Sequence, residues 1–314
     1  MDILTDIIRL MRPQAISWRA VEAHGRWGLS VPFRDMPVFC LVVAGRCWFV
    51  PRHGQPRLLH QGDYLLMRAT ARYCLVSDLD AAQTLHAMEE HVARGEYARW
   101  DEGLGGDTVR LVGGYFEIGP EHTALFSGML PDFLHIRSSD EEAGRLSRLI
   151  ALIGEESSCD LPGRDLVMSR LVEIMLVEVW RRPLNKIEAR EAGWFSGMAD
   201  PHIHLALQKM HADVARHWTV DLLAKEVSMS RAAFARRFSN RVGVAPATYL
   251  SNWRIALAKD ALINSERTIT DIALSIGYYS DSAFSTAFSR EVGVAPAAFR
   301  RARKEEQAAR QLTA

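Results

Sequence analysis

Phe234-Ala235-Arg236-Arg237-Phe238-Ser239-Asn240-Arg241-Val242-Gly243-Val244-Ala245-Pro246 returns fifty residues later as Phe284-Ser285-Thr286-Ala287-Phe288-Ser289-Arg290-Glu291-Val292-Gly293-Val294-Ala295-Pro296. Each copy opens at a serine, Ser230 or Ser280, whose hydroxyl suits an N-cap because it can accept from an unpaired amide of the first helical turn. Upstream of each lies a short amphipathic segment, Leu222-Leu223-Ala224 in one and Ile272-Ala273 in the other. Helix, tight turn, capped helix and a closing Val-Gly-Val-Ala-Pro is the layout of a helix-turn-helix, whose second helix enters the DNA major groove. The same layout twice makes a merely solvated helical repeat the weaker reading.

The pairs Phe234/Phe238 and Phe284/Phe288, four apart, set the buried face of each second helix. At 100° per residue the opposite face of the first carries Ala232, Arg236, Ser239 and Asn240, with Ala235 at its edge and Arg231 beside the cap. In the second it carries Ser282, Thr286, Ser289 and Arg290, with Ser285 at the edge. Between the copies, residues 245–263 read as one long helix with Pro246 tolerated in its first turn. Such a rod would hold the two recognition helices about one DNA turn, ~34 Å, apart.

Outward from this repeat the texture changes. Residues 31–118 hold short apolar and β-branched runs broken by Gly- and Pro-containing turns, which predict a sheet or barrel. From about residue 140 the period turns helical: Leu146, Leu149, Ile150 and Ile153, then Val167, Leu171, Ile174 and Met175. This helical hairpin reads either as a layer packed on the barrel or as a dimer seam, and apolar faces serve both. The chain is therefore expected to be α+β: a barrel domain with its hairpin over residues 1–190, a linker over 191–204, and an all-α domain of two helix-turn-helix units over 205–304.

Charge follows the same division. The 38 Lys and Arg balance the 38 Asp and Glu. From Asp200 to Ala314, however, sixteen basic residues face eleven acidic ones, leaving the remainder acidic by the same margin of five. Neutrality of the whole is thus no argument against a polyanionic partner of one half. No apolar run approaches the ~20 residues of a membrane span. Asp2 and Asp6 stand where a secretory signal would be basic, so no membrane association and a cytoplasmic location are expected.

At the level of motifs, residues 205–302 resemble the DNA-binding domain of the AraC/XylS family of bacterial transcription regulators. The resemblance rests above all on Ile272-Ala273-Leu274-Ser275-Ile276-Gly277-Tyr278-Tyr279-Ser280 running into Phe284, Phe288, Gly293, Pro296 and Phe299-Arg300. It implies double-stranded DNA as partner and base contacts from Arg236 and from the positions of Ala232 and Ala235; a homodimer is expected from the hairpin's apolar faces, and RNA polymerase is a candidate partner. Two departures stand out. Ser228 occupies a turn position where most members carry Gly, which predicts strain there. Thr286 stands where many carry Arg, which suggests that the second helix mainly positions on phosphates.

The N-terminal part more loosely resembles the cupin-like sensor domain of some of these regulators, through the Gly62-Asp63 turn and the Gly113-Gly114-Tyr115-Phe116 strand. That resemblance implies an unidentified small-molecule effector. Trp27, Phe39, Trp48 and Tyr64, with Phe49, could line its pocket or simply fill the core. Metal-binding cupins use a His-x-His pair with Glu and a later His. The barrel region has only His53 and His60, seven apart, so no metal and no cofactor is expected. His202 and His204 diverge on a helix, and His86 and His91, five apart, are no HExxH pair. Cys40 reads as a core thiol. Cys47, after Arg46, and Cys74, after Arg72-Tyr73, read as core residues or as oxidant-sensing thiols activated by a nearby cation. No catalytic constellation is legible, so a DNA-binding regulator is expected. The alternatives are a metal-dependent cupin enzyme carrying a DNA-binding module, and an architectural DNA binder without effector.

Overall fold

The computed structural model describes residues 2–11, 14–31, 36–52, 54–68, 73–80, 97–99, 107–117, 133–140, 144–181 and 194–313. It falls into two compact units. One takes in the described residues of 13–119 and 130–188, the other those of 1–12 and 189–314.

Among the described residues, the first unit carries ten strands: β1 (Gln14–Ala23), β2 (Trp27–Val31), β3 (Val38–Ala44), β4 (Arg46–Pro51), β5 (Arg57–His60), β6 (Tyr64–Met67), β7 (Tyr73–Val76), β8 (Tyr97–Arg99), β9 (Val109–Glu117) and β10 (Phe133–Ile136). They form two five-stranded antiparallel sheets, ordered β1-β9-β3-β6-β10 and β5-β4-β7-β2-β8. Alternation along the strands sends Cys40, Val42, Cys47, Phe49, Leu65, Met67, Tyr73 and Leu75 into one shared core. The other face of β3 is buried as well, which explains its unbroken apolar run Val38–Val43.

The hairpin consists of α2 (Gly144–Ser158) and α3 (Arg164–Trp180). α2 lies so close to β3 that a Cβ at Gly154 would stand 2.4 Å from a Val43 methyl. On α3 the buried face is Met168, Val172, Met175, Leu176 and Val179, whereas Val167 and Ile174 are exposed and Leu171 is half-buried. The stripe expected from Val167, Leu171, Ile174 and Met175 is thus displaced. Both faces of α3 carry apolar residues, so periodicity alone could not choose between them.

At the Gly62-Asp63 turn, Asp63 is buried and its carboxylate accepts from the amides of His60 (3.1 Å) and Ser138 (2.9 Å) and meets His135 Nε2 at 2.9 Å. Burial alone would raise this carboxyl; its hydrogen bonds outweigh that and hold it below the usual carboxylate range.

The second unit is helical: α1 (Ile3–Met11), α4 (Trp194–Met198), α5 (Pro201–Ala212), α6 (Val220–Glu226), α7 (Arg231–Val242), α8 (Pro246–Asn264), α9 (Ile269–Ser275), α10 (Asp281–Val292) and α11 (Pro296–Thr313). α1 groups with this unit rather than with the barrel, and Ile3, Leu4, Ile7 and Leu10, at helical spacing, are its buried face. Residues 191–204, expected as a linker, carry α4 and the opening of α5, and α11 runs on past the expected domain end at residue 304 to Thr313.

α8 serves two cores. Tyr249 and Trp253 face α5 and α7, with Tyr249 5.8 Å from Phe238 and Trp253 4.2 Å from His211 between ring centres. Ile255, Ala258 and Leu262 pack with Ile272, Phe284, Phe288 and Phe299 in the second core. Arg254 and Arg300 close the two preceding chain turns, donating to the carbonyls of Val214 and Arg216 and to those of Leu262 and Arg267. The Phe299-Arg300 pair thus plugs a core and holds a loop.

Candidate nucleic-acid interface

The two serines cap as expected. Ser230 Oγ accepts from the Ala233 amide (3.3 Å) and Ser280 Oγ from that of Ala283 (3.1 Å). Both second helices end on left-handed glycines, Gly243 and Gly293, which stop them at equal length. The turns before them differ. In the second, Gly277 has φ 89°, and a Cβ there would stand 2.5 Å from the Ala215 carbonyl oxygen. In the first, Ser228 takes φ 55°, the one non-glycine with positive φ among the described residues. The strain expected at that turn has a measurable geometry.

On α7, Arg231, Ala232, Arg236 and Asn240 are exposed, with Ala235 and Ser239 half-buried. Arg231 faces Asp221 at 3.7 Å. Arg236 has no hydrogen bond or ion pair among the described residues, so its donor fork is available. Beside it an open cleft of about 540 Å³ is lined by Met229, Ala233, Arg236, Arg237, Asn240 and Arg241. On α10, Ser282, Thr286 and Arg290 are exposed and Ser285 and Ser289 half-buried. The structure thus keeps each predicted outer face together on its own helix.

Sequence reasoning missed Asp200. It caps α5, accepting from the amides of His202 (3.1 Å) and Ile203 (3.4 Å), and it also meets Arg237 Nε at 2.6 Å and Arg241 Nε at 3.5 Å. Burial would raise this carboxyl, but the Arg237 hydrogen bond and the two amides hold it low. The signal was an Asp-Pro pair opening a helix, which the linker reading passed over.

The aromatic residues that could line a pocket or fill the core are distributed over both faces of the sheets. Trp27 lies in the barrel core, Phe39 and Tyr64 are buried outside that core, and Trp48 is half-exposed between the inward-facing Cys47 and Phe49. Phe39 packs on Phe116, 5.1 Å between ring centres. The cysteines fit the core reading, and for Cys47 not the cation-activated alternative. Burial pushes the Cys40 thiol up to about 12 and Cys47 well up too, while the Arg46 guanidinium pairs with Asp107 at 3.2 Å instead of acidifying its neighbour. Cys74 is buried. His53, His86, His91 and Arg72 lie outside the described residues. Among the described residues no three His, Cys, Asp or Glu converge on a metal-sized site, and no helix is long and apolar enough to cross a membrane.

Two family patterns match, Cupin over residues 2–185 and the Helix-turn-helix domain over residues 223–302. A putative AraC-like transcription regulator of Streptomyces lividans is 32% identical over 287 residues, spanning 90% of this chain and 92% of that protein. The chain belongs to the AraC-like transcription regulators. The regulator is also 25% identical to the HTH-type transcriptional regulator AlkR of Acinetobacter baylyi, over 90% of this chain and 93% of that one. Among solved structures, the DNA-binding domain of AdpA in complex with a target DNA is 30% identical, covering 34% of the regulator and 96% of that domain at a TM-score of 0.33. The regulator is accordingly a DNA-binding protein with a cupin domain ahead of its helix-turn-helix domain.

Proposed function

We propose that α7 and α10 are the two recognition helices of an effector-responsive, non-enzymatic regulator acting on double-stranded DNA in the cytoplasm. The observation that carries this reading is the pair of capped, equal-length helices held by one connecting helix, with the guanidinium of Arg236 free on the outer face of the first. Ser230, Arg231, Ala232, Ala235, Arg236, Ser239 and Asn240 face one groove segment. Ser280, Ser282, Ser285, Thr286 and Arg290 face the next. The barrel binds a small molecule or responds to an oxidant, and its ligand acts by favouring one DNA-competent arrangement over another. Exposed Val167 and Ile174 on α3, seven apart, with Leu171 between them, supply a seam for a second copy of the chain. RNA polymerase is the further partner where the bound regulator activates.

The test is a footprint of the full chain on its genomic sites. Protection of two major-groove segments one helical turn apart, altered by a metabolite or oxidant, is the expected result. A footprint insensitive to every such addition would favour an architectural binder, and stoichiometric metal on the purified chain would reopen the enzyme reading.

A further inference from the structure

The outer face of α10 is polar in sequence, yet the hydroxyls of Ser280, Ser282 and Thr286 are engaged by the helix itself. Ser280 Oγ accepts from the Ala283 amide and lies 3.0 Å from Ser282 Oγ. Thr286 Oγ1 donates to the Ser282 carbonyl at 2.9 Å, one turn back. With Oγ1 drawn back, the heavy atom left on the Thr286 Cβ for an outside contact is the methyl Cγ2. Ala283, three residues earlier on the same face, is exposed and offers only its Cβ. Tyr279, just before the cap, is 81% exposed. The corresponding positions of the first copy are Met229, Ala233 and Arg236, so one helix presents a free hydrogen-bonding fork where the other presents a methyl. Asp281, exposed in the first turn of α10, works against a phosphate contact at that end. The apolar feature of a base pair in the major groove is the thymine C5-methyl, and a threonine methyl or an alanine is a known kind of contact for it.

We propose that α10 reads thymine methyl groups, through Thr286 Cγ2 with Ala283 and Tyr279 beside it, so that the regulator recognises a hydrogen-bonded half-site with α7 and a thymine-containing half-site by apolar contact with α10. This rests on α10 being the second recognition helix.

The test uses the full chain and a tight-binding duplex it selects from a random pool. Each thymine is replaced singly by deoxyuridine, which removes only the methyl. In the half-site one turn from the Arg236 contact, at least one replacement should weaken binding about fourfold, the change that one buried methyl group corresponds to. Thr286→Val keeps the methyl without the hydroxyl and should retain that discrimination. Thr286→Ser keeps the hydroxyl without the methyl and should lose it. Equal affinity for thymine and uracil throughout that half-site, or discrimination surviving in Thr286→Ser and lost in Thr286→Val, overturns the proposal. A hydroxyl-radical footprint run alongside separates the two failures: an unprotected second half-site overturns the placement of α10 itself, whereas full protection with no methyl effect overturns only the methyl reading.

Discussion

Asp200 Oδ2 accepts a hydrogen bond from Arg237 Nε at 2.6 Å, so the residue that starts α5 also fixes the underside of the helix that carries Arg236. The aspartate is buried and the arginine is partly exposed, with 41% of its side chain in solvent. The pair is therefore worth far less than a fully enclosed one. Asp200→Asn keeps a good N-cap and removes the charge. It should cost about 1 kcal/mol of stability, and Asp200→Ala about 1 kcal/mol more through the lost cap. A double-mutant cycle with Arg237→Met, read by urea unfolding, checks this. A coupling energy indistinguishable from zero would show that the contact positions nothing.

His211 sets the acid response of the helical unit. Its ring stacks on Trp253, its Nε2 meets the Tyr249 hydroxyl at 2.8 Å, and burial pushes its pKa down to about 3. The unfolded chain takes up this proton below about pH 6.5, whereas the folded one resists until about pH 3. The stabilisation is therefore complete above pH 6.5 and is lost on acidification between those values, by up to about 1.4 kcal/mol per pH unit. The carboxyls of Asp63 and Asp200, held low, act in the same direction but only below about pH 4. Urea midpoints from pH 7 to 4.5 should fall for the parent chain and fall less steeply for His211→Phe. Parallel curves would refute the assignment.

The two turns predict opposite outcomes from glycine exchange. Ser228→Gly relieves a left-handed serine and should raise stability by up to about 1 kcal/mol. Gly277→Ala drives a methyl into the Ala215 carbonyl and the Arg254 guanidinium and should cost about 2 kcal/mol or more. Thermal or urea unfolding of both variants decides it, and a destabilised Ser228→Gly would mean that the serine side chain holds a contact worth more than the strain.

On DNA, Arg236→Ala should cost roughly 1 to 3 kcal/mol at the selected site and relax preference at one base pair. Thr286→Ala should cost less. Titrations at stated salt on matched and mismatched duplexes provide the measurement, since phosphate contacts make affinity fall steeply with ionic strength. Uniform weakening on every sequence would turn Arg236 into a backbone contact.

For the α3 seam, the combined change Val167→Glu and Ile174→Lys leaves the buried face of Met168, Val172 and Met175 untouched. Light scattering should then report a monomer where the parent chain is a dimer, with unfolding unchanged within about 0.5 kcal/mol. A dimer that survives both charges places its interface elsewhere.

The parts of this chain that repeat were the parts legible in its sequence. Phe234/Phe238 and Phe284/Phe288, read against Ser230 and Ser280, gave α7 and α10 their caps, ends and buried faces, because capping and helical period are local physics. Ser228 announced its own strain by standing where most members of the family carry Gly. What depends on distant partners stayed hidden. Asp200 looked like part of a linker because nothing in its neighbourhood reveals Arg237 or Arg241. For Cys47 the sequence left a core thiol and a cation-activated one both open, because it places Arg46 beside it; the strand turns the two side chains to opposite faces and gives Arg46 to Asp107, which leaves the core reading. Whether Trp27, Phe39, Trp48 and Tyr64 line a pocket or fill the core was left open for the same reason, since aromatic type says nothing about which side of a sheet a residue occupies.

α8 is buried on both sides, and its nineteen residues span about 28 Å without a glycine or an internal proline to bend them. With α7 and α10 placed on DNA as proposed, that makes it a ruler for the operator. Inserting one residue would rotate α10 by 100° about the helix axis and break its register with the second core, so no chain variant can slide one recognition helix relative to the other by small steps. Under that placement, binding sites are free to drift in base sequence but not in phase: two half-sites that keep every contacted base and gain five base pairs between them would present the second groove to the wrong side of the protein.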